Sequence, residues 1–198
     1  MWRLYFSKRG YFISRNTIAA AFTMKLLVLS FAPPETWRNE LQTKKLEEED
    51  WQIFRKKILE RGNYTCVYCD YLSQKYQIAD HIDGNPENNA ESNMQVICQM
   101  CNLIKHSGQG CVVQNIVDLY RRSKYNQNAI IRITRKMRDE GARDIEILRV
   151  LELQEKVLFR MGVSYLKRLF GFISSRQPQQ KEMYYNWLQY HKKEIRNV

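Results

Sequence analysis

The 198-residue chain has only three histidines and no acidic side chain among its first 34 residues, and it contains neither an internal repeat nor a low-complexity tract. Without a repeat, stacked-repeat architectures are set aside. With three imidazoles, any histidine chemistry must fall on His81, His106 or His191. An uninterrupted membrane span is missing too: the stretch from Ile13 to Ala32 approaches the needed length, but Arg15, Asn16 and Lys25 interrupt it. A soluble, cytoplasmic protein with no membrane partner is therefore expected, with Leu26 to Phe31 serving as a buried strand. The same basic, partly apolar stretch mimics a targeting peptide. Met24 is a second candidate start, which would make the first 23 residues an upstream extension.

At 44% hydrophobic and 27% charged residues, the chain can bury one moderate core, or a small metal-stapled module with a helical extension. The second is expected. The net charge of +11 is uneven: residues 1–34 carry five basic and no acidic side chains, 35–110 nine against twelve, and 111–198 eighteen against nine. Basic arms around a slightly acidic centre suit a protein whose arms grip a phosphate backbone while the centre holds a divalent cation. The plain reading of any single basic residue remains a solvated face.

Five cysteines are present, four of them as two Cys-x-x-Cys pairs, Cys66/Cys69 and Cys98/Cys101, separated by 28 residues. Each pair can bring two thiolates to one ion through a tight turn, which makes a four-cysteine structural zinc site. A disulfide framework is the alternative. The unpaired fifth, Cys111, and few other secretory signals favour the metal.

Between the pairs, Gln77-Ile78-Ala79 leads into Asp80-His81, followed by the turn-forming Asp83-Gly84-Asn85-Pro86. Asn93 opens Met94-Gln95-Val96-Ile97, and Asn102 to Lys105 follow the last cysteine. A strand, a return strand and a short helix would form a ββα unit pinned by zinc, in which Asp80 and Asn102, 22 positions apart, could meet at one metal. This segment resembles the HNH nucleases, the ββα-metal or His-Me finger class. The family's Asp-His pair falls on Asp80-His81, its middle Asn on Asn93, and its closing Cys-x-x-Cys-[His/Asn]-x-x-Lys on Cys98, Cys101, Asn102 and Lys105. Asn102 stands where many members have His, an H-N-N version. The resemblance runs from Trp51 to Ser107 and stops short of both termini.

The resemblance implies a metal-dependent endonuclease hydrolysing phosphodiester bonds in DNA, or in RNA or a single strand. His81 would be the general base, an imidazole whose ordinary pKa of about 6.5 lets it accept a proton at neutral pH. Asp80 and Asn102 would hold a catalytic Mg²⁺ or Mn²⁺, and Asn93 would fix the loop or the imidazole. Lys105 would touch phosphate or face solvent. Oxygen ligands for a hard ion and thiolates for zinc should not compete. Cutting both strands from one site would favour a homodimer. The alternative is a zinc knuckle that binds nucleic acid without cutting it, on a degenerate scaffold. An interaction module that regulates another nuclease is a third reading.

The organisation expected is α+β: a basic N-terminal segment over 1–34, the HNH module over 35–110 and a basic, mostly helical region over 111–198. Helices are predicted from Glu35 to Leu46 after Pro33-Pro34, and from the acidic run Glu47 to Asp50 through Trp51, Phe54, Ile58 and Leu59 to Arg61-Gly62-Asn63. After Lys105 no strand alternation stands out. Helical segments are predicted over 112–120, 128–140, 144–159, 165–173 and 181–195. The second and third of these, joined at Gly141, read as a helical hairpin or a helix-turn-helix, with Arg132, Arg135, Lys136, Arg138, Arg143 and Arg149 on their polar sides. Tyr184, Tyr185, Trp187 and Tyr190 would stack on bases or pack in a core.

Overall fold

A computed structural model describes residues 24–31 and 48–178. The helices expected over 35–46 and 181–195, residues 1–23, the terminal aromatic set and His191 lie outside the described residues.

Helix α1, Glu49–Arg61, begins with two acids against its positive end and finishes on a basic residue. Its apolar stripe of Trp51, Phe54, Ile58 and Leu59 lies on a two-stranded antiparallel hairpin, β1 Gln77–His81 and β2 Met94–Cys98. Gly62 caps the helix at a point where nothing larger fits: a Cβ there would stand 2.4 Å from Val96 Cγ2. Asn63 and Tyr64 then take left-handed backbone angles, and this sharp turn throws the chain into Cys66.

Register places side chains on the two faces of the hairpin. Ala79 pairs with Val96 and His81 with Met94 on the face covered by α1, whereas Ile78 pairs with Ile97 and Asp80 with Gln95 on the opposite face. Helix α2, Gln99–Lys105, follows β2 directly. The Cys98 side chain accepts from the Cys101 amide at its start, and Cys101, Leu103, Ile104 and Lys105 are buried.

Among the described residues, 106–178 correct the sequence reading. This stretch is not mostly helical: it holds a three-stranded antiparallel sheet in the order β4-β3-β5, built from β3 Val117–Arg122, β4 Gln154–Val157 and β5 Phe170–Ile173. The segment expected as a helix over 112–120 is a wide turn, Gln109–Val113, followed by β3. Helices α3, Gln127–Asp139, and α4, Asp144–Leu151, meet at Gly141, which takes a left-handed φ of 84°. α4 stops at Leu151 rather than Phe159 because Glu152 turns left-handed, and β4 follows. A single turn, α5 Val163–Leu166, precedes β5.

Strands β3 and β5 escaped notice because both of their faces are covered, whereas β4 is a largely exposed run of four residues. Val117, Leu119 and Ile173 face the ββα unit, while Tyr120 and Phe172 face α3 and α4. A strand buried on two sides loses the polar-apolar alternation that would reveal it.

Residues 24–31 run extended. Leu27 is 2% exposed and Leu29 buried, alternating with Leu26 at 67% and an exposed Val28. The segment is held by Lys25 N to Val67 O, by Ser107 N to Ser30 O, and by Asn128, whose Oδ1 accepts from Leu27 N. One core therefore crosses the boundaries expected at 34 and 110: Leu27, Ile97, Ile104, Leu119 and Ile131 belong to it together with the four cysteines.

Candidate metal centre and the buried Asp80 cluster

The turn after α1 presents Cys66 and Cys69, with Cys66 N donating to Tyr71 O and Asp70 N to Cys66 O, while the end of β2 and first turn of α2 present Cys98 and Cys101. The four sulfurs are buried and lie within 4.8 Å of one another, Cys69 and Cys98 at 3.6 Å. A tetrahedral ion with bonds of about 2.3 Å needs sulfurs about 3.8 Å apart, so this donor set fits a structural zinc. Cys111 lies outside the cluster, and burial pushes its thiol up to about 12.

Arg135 of α3 faces the cluster. It donates from Nη2 to Cys98 Sγ at 3.1 Å and from Nη1 to Cys69 Sγ at 3.5 Å, and its guanidinium lies 3.6 Å over the Tyr71 ring. Hydrogen bonds from Cys101 and then Cys66 hold the Cys69 thiol down to about 7 and Cys98 lower still. Arg135 and Arg138, expected on the polar sides of a helical pair, both turn inward: Arg138 donates to Asp144 Oδ1 at 2.8 Å and to the Ile173 carbonyl.

Asp80 is buried beneath the other end of α2. Oδ2 accepts from Lys105 Nζ at 2.6 Å and Gln95 Nε2 at 2.8 Å, and Oδ1 accepts from His106 Nε2 at 3.1 Å. Burial pushes its carboxyl up, but the His106 hydrogen bond and the Lys105 charge outweigh that and hold it below its ordinary value. Lys105 also donates to the His81 carbonyl. Gln95 extends the network by donating to Tyr68 Oη at 3.1 Å and accepting from Lys25 Nζ at 2.9 Å.

His81 points the other way. Its ring stacks on Trp51 at 6.2 Å, and Nε2 donates to Asn89 Oδ1 at 2.8 Å. Asn93 ties the intervening loop, giving Nδ2 hydrogens to Asp83 Oδ1 and Asn88 O and accepting from Asp83 N. Asn102 is half-buried, and no hydrogen bond joins its side chain to Asp80. With both carboxylate oxygens of Asp80 taken by N–H donors and an ammonium at 2.6 Å, Asp80 and Asn102 as arranged do not fit a divalent cation.

Sequence reasoning thus found the thiols and passed over Lys105, His106, Gln95, Asn89 and Arg135 as partners. The signal for Arg135 was its place four residues after Ile131, on the buried stripe of α3.

The class these features define is an α+β protein with a four-cysteine cluster compatible with structural zinc. Among the described residues no helix is long and apolar enough to cross a membrane. Against known protein families the chain shows no match. Among curated proteins it is similar to the Type 4 apparatus protein DotN of Legionella pneumophila, at 33% identity over 70 residues, which is 35% of this chain and 32% of that protein. The chain therefore aligns with about a third of the length of this relative.

Proposed function

We propose that this chain is a non-cleaving, zinc-stapled ββα module on the HNH plan, serving as a structural component of a larger protein assembly. The observation that carries this is the closed state of Asp80. Its two oxygens meet three protein donors, two of them on Lys105 and His106, so the protein's own side chains occupy the place where a catalytic cation would bind. The similarity to a protein named as part of a Type 4 apparatus supports an assembly role.

A second reading, the DNA endonuclease with His81 as base and Mg²⁺ or Mn²⁺ at Asp80/Asn102, is favoured by the retained Asp80, His81, Asn93 and Asn102 set. It requires Lys105 and His106 to leave Asp80. Incubating purified chain with supercoiled plasmid and with single-stranded DNA, with Mg²⁺ or Mn²⁺ and beside His81→Ala, separates the two. The expected result is no cleavage above that of the variant. Metal-dependent nicking that His81→Ala abolishes would establish the endonuclease and end the non-cleaving reading.

A further inference from the structure

We infer that Arg135 is a positioning residue of the metal centre: it supplies the counter-charge that holds the ion and fastens α3 to the knuckle. The inference rests on the zinc reading and goes beyond it, since none of the spacing that identifies the four cysteines points to residue 135.

Four thiolates around a divalent ion leave a net charge of −2, a poor tenant for a buried site unless donors and cations answer it. Among the described residues, Arg135 is the cation whose hydrogen bonds reach the sulfurs, and it reaches two of them, one from each Cys-x-x-Cys pair. A planar guanidinium reaches the two acceptors from two nitrogens held in one rigid fork, whereas a lysine would have to serve both from a single nitrogen on a flexible stem. The Tyr71 ring, 3.6 Å beneath it, fixes the plane of the fork.

The position of Arg135 also matters. Beside it lies an open cleft of about 390 Å³, lined by Cys69, Tyr71, Arg132 and Lys136 among others. Cys69 and Arg135 both line this cleft, although the sulfur itself is buried. Sulfurs hydrogen-bonded to a guanidinium give up less electron density to a proton from solvent or to an oxidant, so Arg135 both retains the ion and shields its ligands.

The same side chain couples two parts of the fold. Two helical turns earlier on α3, Asn128 donates from Nδ2 to Tyr68 O at 2.7 Å and to Lys25 O at 2.6 Å. Asn128 and Arg135 thus clamp the 66–71 turn from one helix face, the first through the Tyr68 carbonyl and the second through the Cys69 sulfur. Loss of the ion removes the thiolate charge that Arg135 answers, and the α3 clamp weakens with it.

The test uses the full chain. Zinc content is measured first, then zinc release to an excess of a chromogenic chelator, for wild type, Arg135→Gln, Arg135→Lys and a core-thinning control, Ile147→Val, whose side chain sits in the α3–α4 cluster away from the sulfurs. We expect one zinc per wild-type chain, release about 10-fold or more faster from Arg135→Gln, and an intermediate rate for Arg135→Lys, in line with the about 10–100-fold effects of outer-shell partners on metal sites. In the cobalt-substituted chains, the sulfur-to-metal charge-transfer band should move to lower energy in Arg135→Gln and stay put in Ile147→Val, a signature that lost stability alone does not produce. Wild-type release and an unmoved band in Arg135→Gln overturn this inference alone. A wild-type chain without zinc overturns the metal reading and the inference together. Should Arg135→Gln fail to fold, Arg135→Lys decides, and a wild-type release rate with an unmoved band in that variant would equally overturn the inference.

Discussion

The two polar centres of the ββα unit stand on one hairpin and are treated in opposite ways by the chain around them. At one end, four sulfurs converge with the Arg135 guanidinium facing them from outside. At the other, Asp80 receives an ammonium, an imidazole and an amide from within hydrogen-bonding distance. The first arrangement has negative charge to offer an ion. The second has already neutralised its own, so an incoming cation would have to displace a buried ion pair before gaining anything. Two polar centres on one hairpin therefore need not be equally ready for a metal.

Removing a sulfur should break the comparison most severely. Metal binding in small four-ligand modules supplies on the order of 10 kcal/mol, comparable with the whole stability of a domain. Cys98 is also the acceptor that caps α2 and meets Arg135. Cys98→Ser should lose both zinc and fixed tertiary structure, seen by elemental analysis and near-ultraviolet circular dichroism. A variant that melts like wild type would mean that the sulfurs staple nothing.

At the Asp80 centre the expected loss is smaller. Lys105→Met leaves a buried carboxylate without its strongest partner, a change that costs about 3–5 kcal/mol, whereas Asp80→Asn with Lys105→Met removes both charges and should recover most of that loss. Urea denaturation measures both. A single variant as stable as wild type would show that the pair does not hold the centre closed.

Acid titration sharpens the same point. The folded carboxyl of Asp80 lies below the unfolded value of about 3.9, so its contribution to stability is complete above that value and is lost as pH falls through the folded one. The stability difference between wild type and Asp80→Asn should shrink as pH falls below about 4, by at most about 1.4 kcal/mol per pH unit. A difference that stays constant down to about pH 3 would take Asp80 out of the acid limb.

What the sequence disclosed follows from how each feature is encoded. Cysteine pairs announce themselves by spacing, and α1, the hairpin and α2 follow from a helical stripe, two short runs and a capping cysteine close together in the chain. Asp80's partners were hidden for a different reason. Lys105 and His106 lie at the far end of α2, and only the packing of α2 on β1 decides that an ordinarily exposed lysine is buried there. Strands β3 and β5 were hidden because Val117, Leu119, Tyr120, Phe172 and Ile173 are apolar toward both sides, so period two and period 3.6 fit the string equally well.

The smallest effect concerns His81, the residue on which the two functional readings divide. Its Nε2 is engaged by Asn89, an exposed loop residue, so Asn89→Ala removes one hydrogen bond from a buried ring while leaving the Trp51 stack in place. The expected cost is about 1 kcal/mol, with zinc content unchanged because neither residue touches the sulfurs. The functional outcome is the sharper measurement. If the module does not cleave, freeing His81 changes nothing, since Asp80 remains occupied by Lys105 and His106 on the opposite face of the hairpin. If instead Asn89→Ala, alone or with Lys105→Met, acquires nicking activity with Mn²⁺ that His81→Ala then removes, the closed centre is a latent endonuclease, and the contrast between the two sites is one of occupancy rather than of kind.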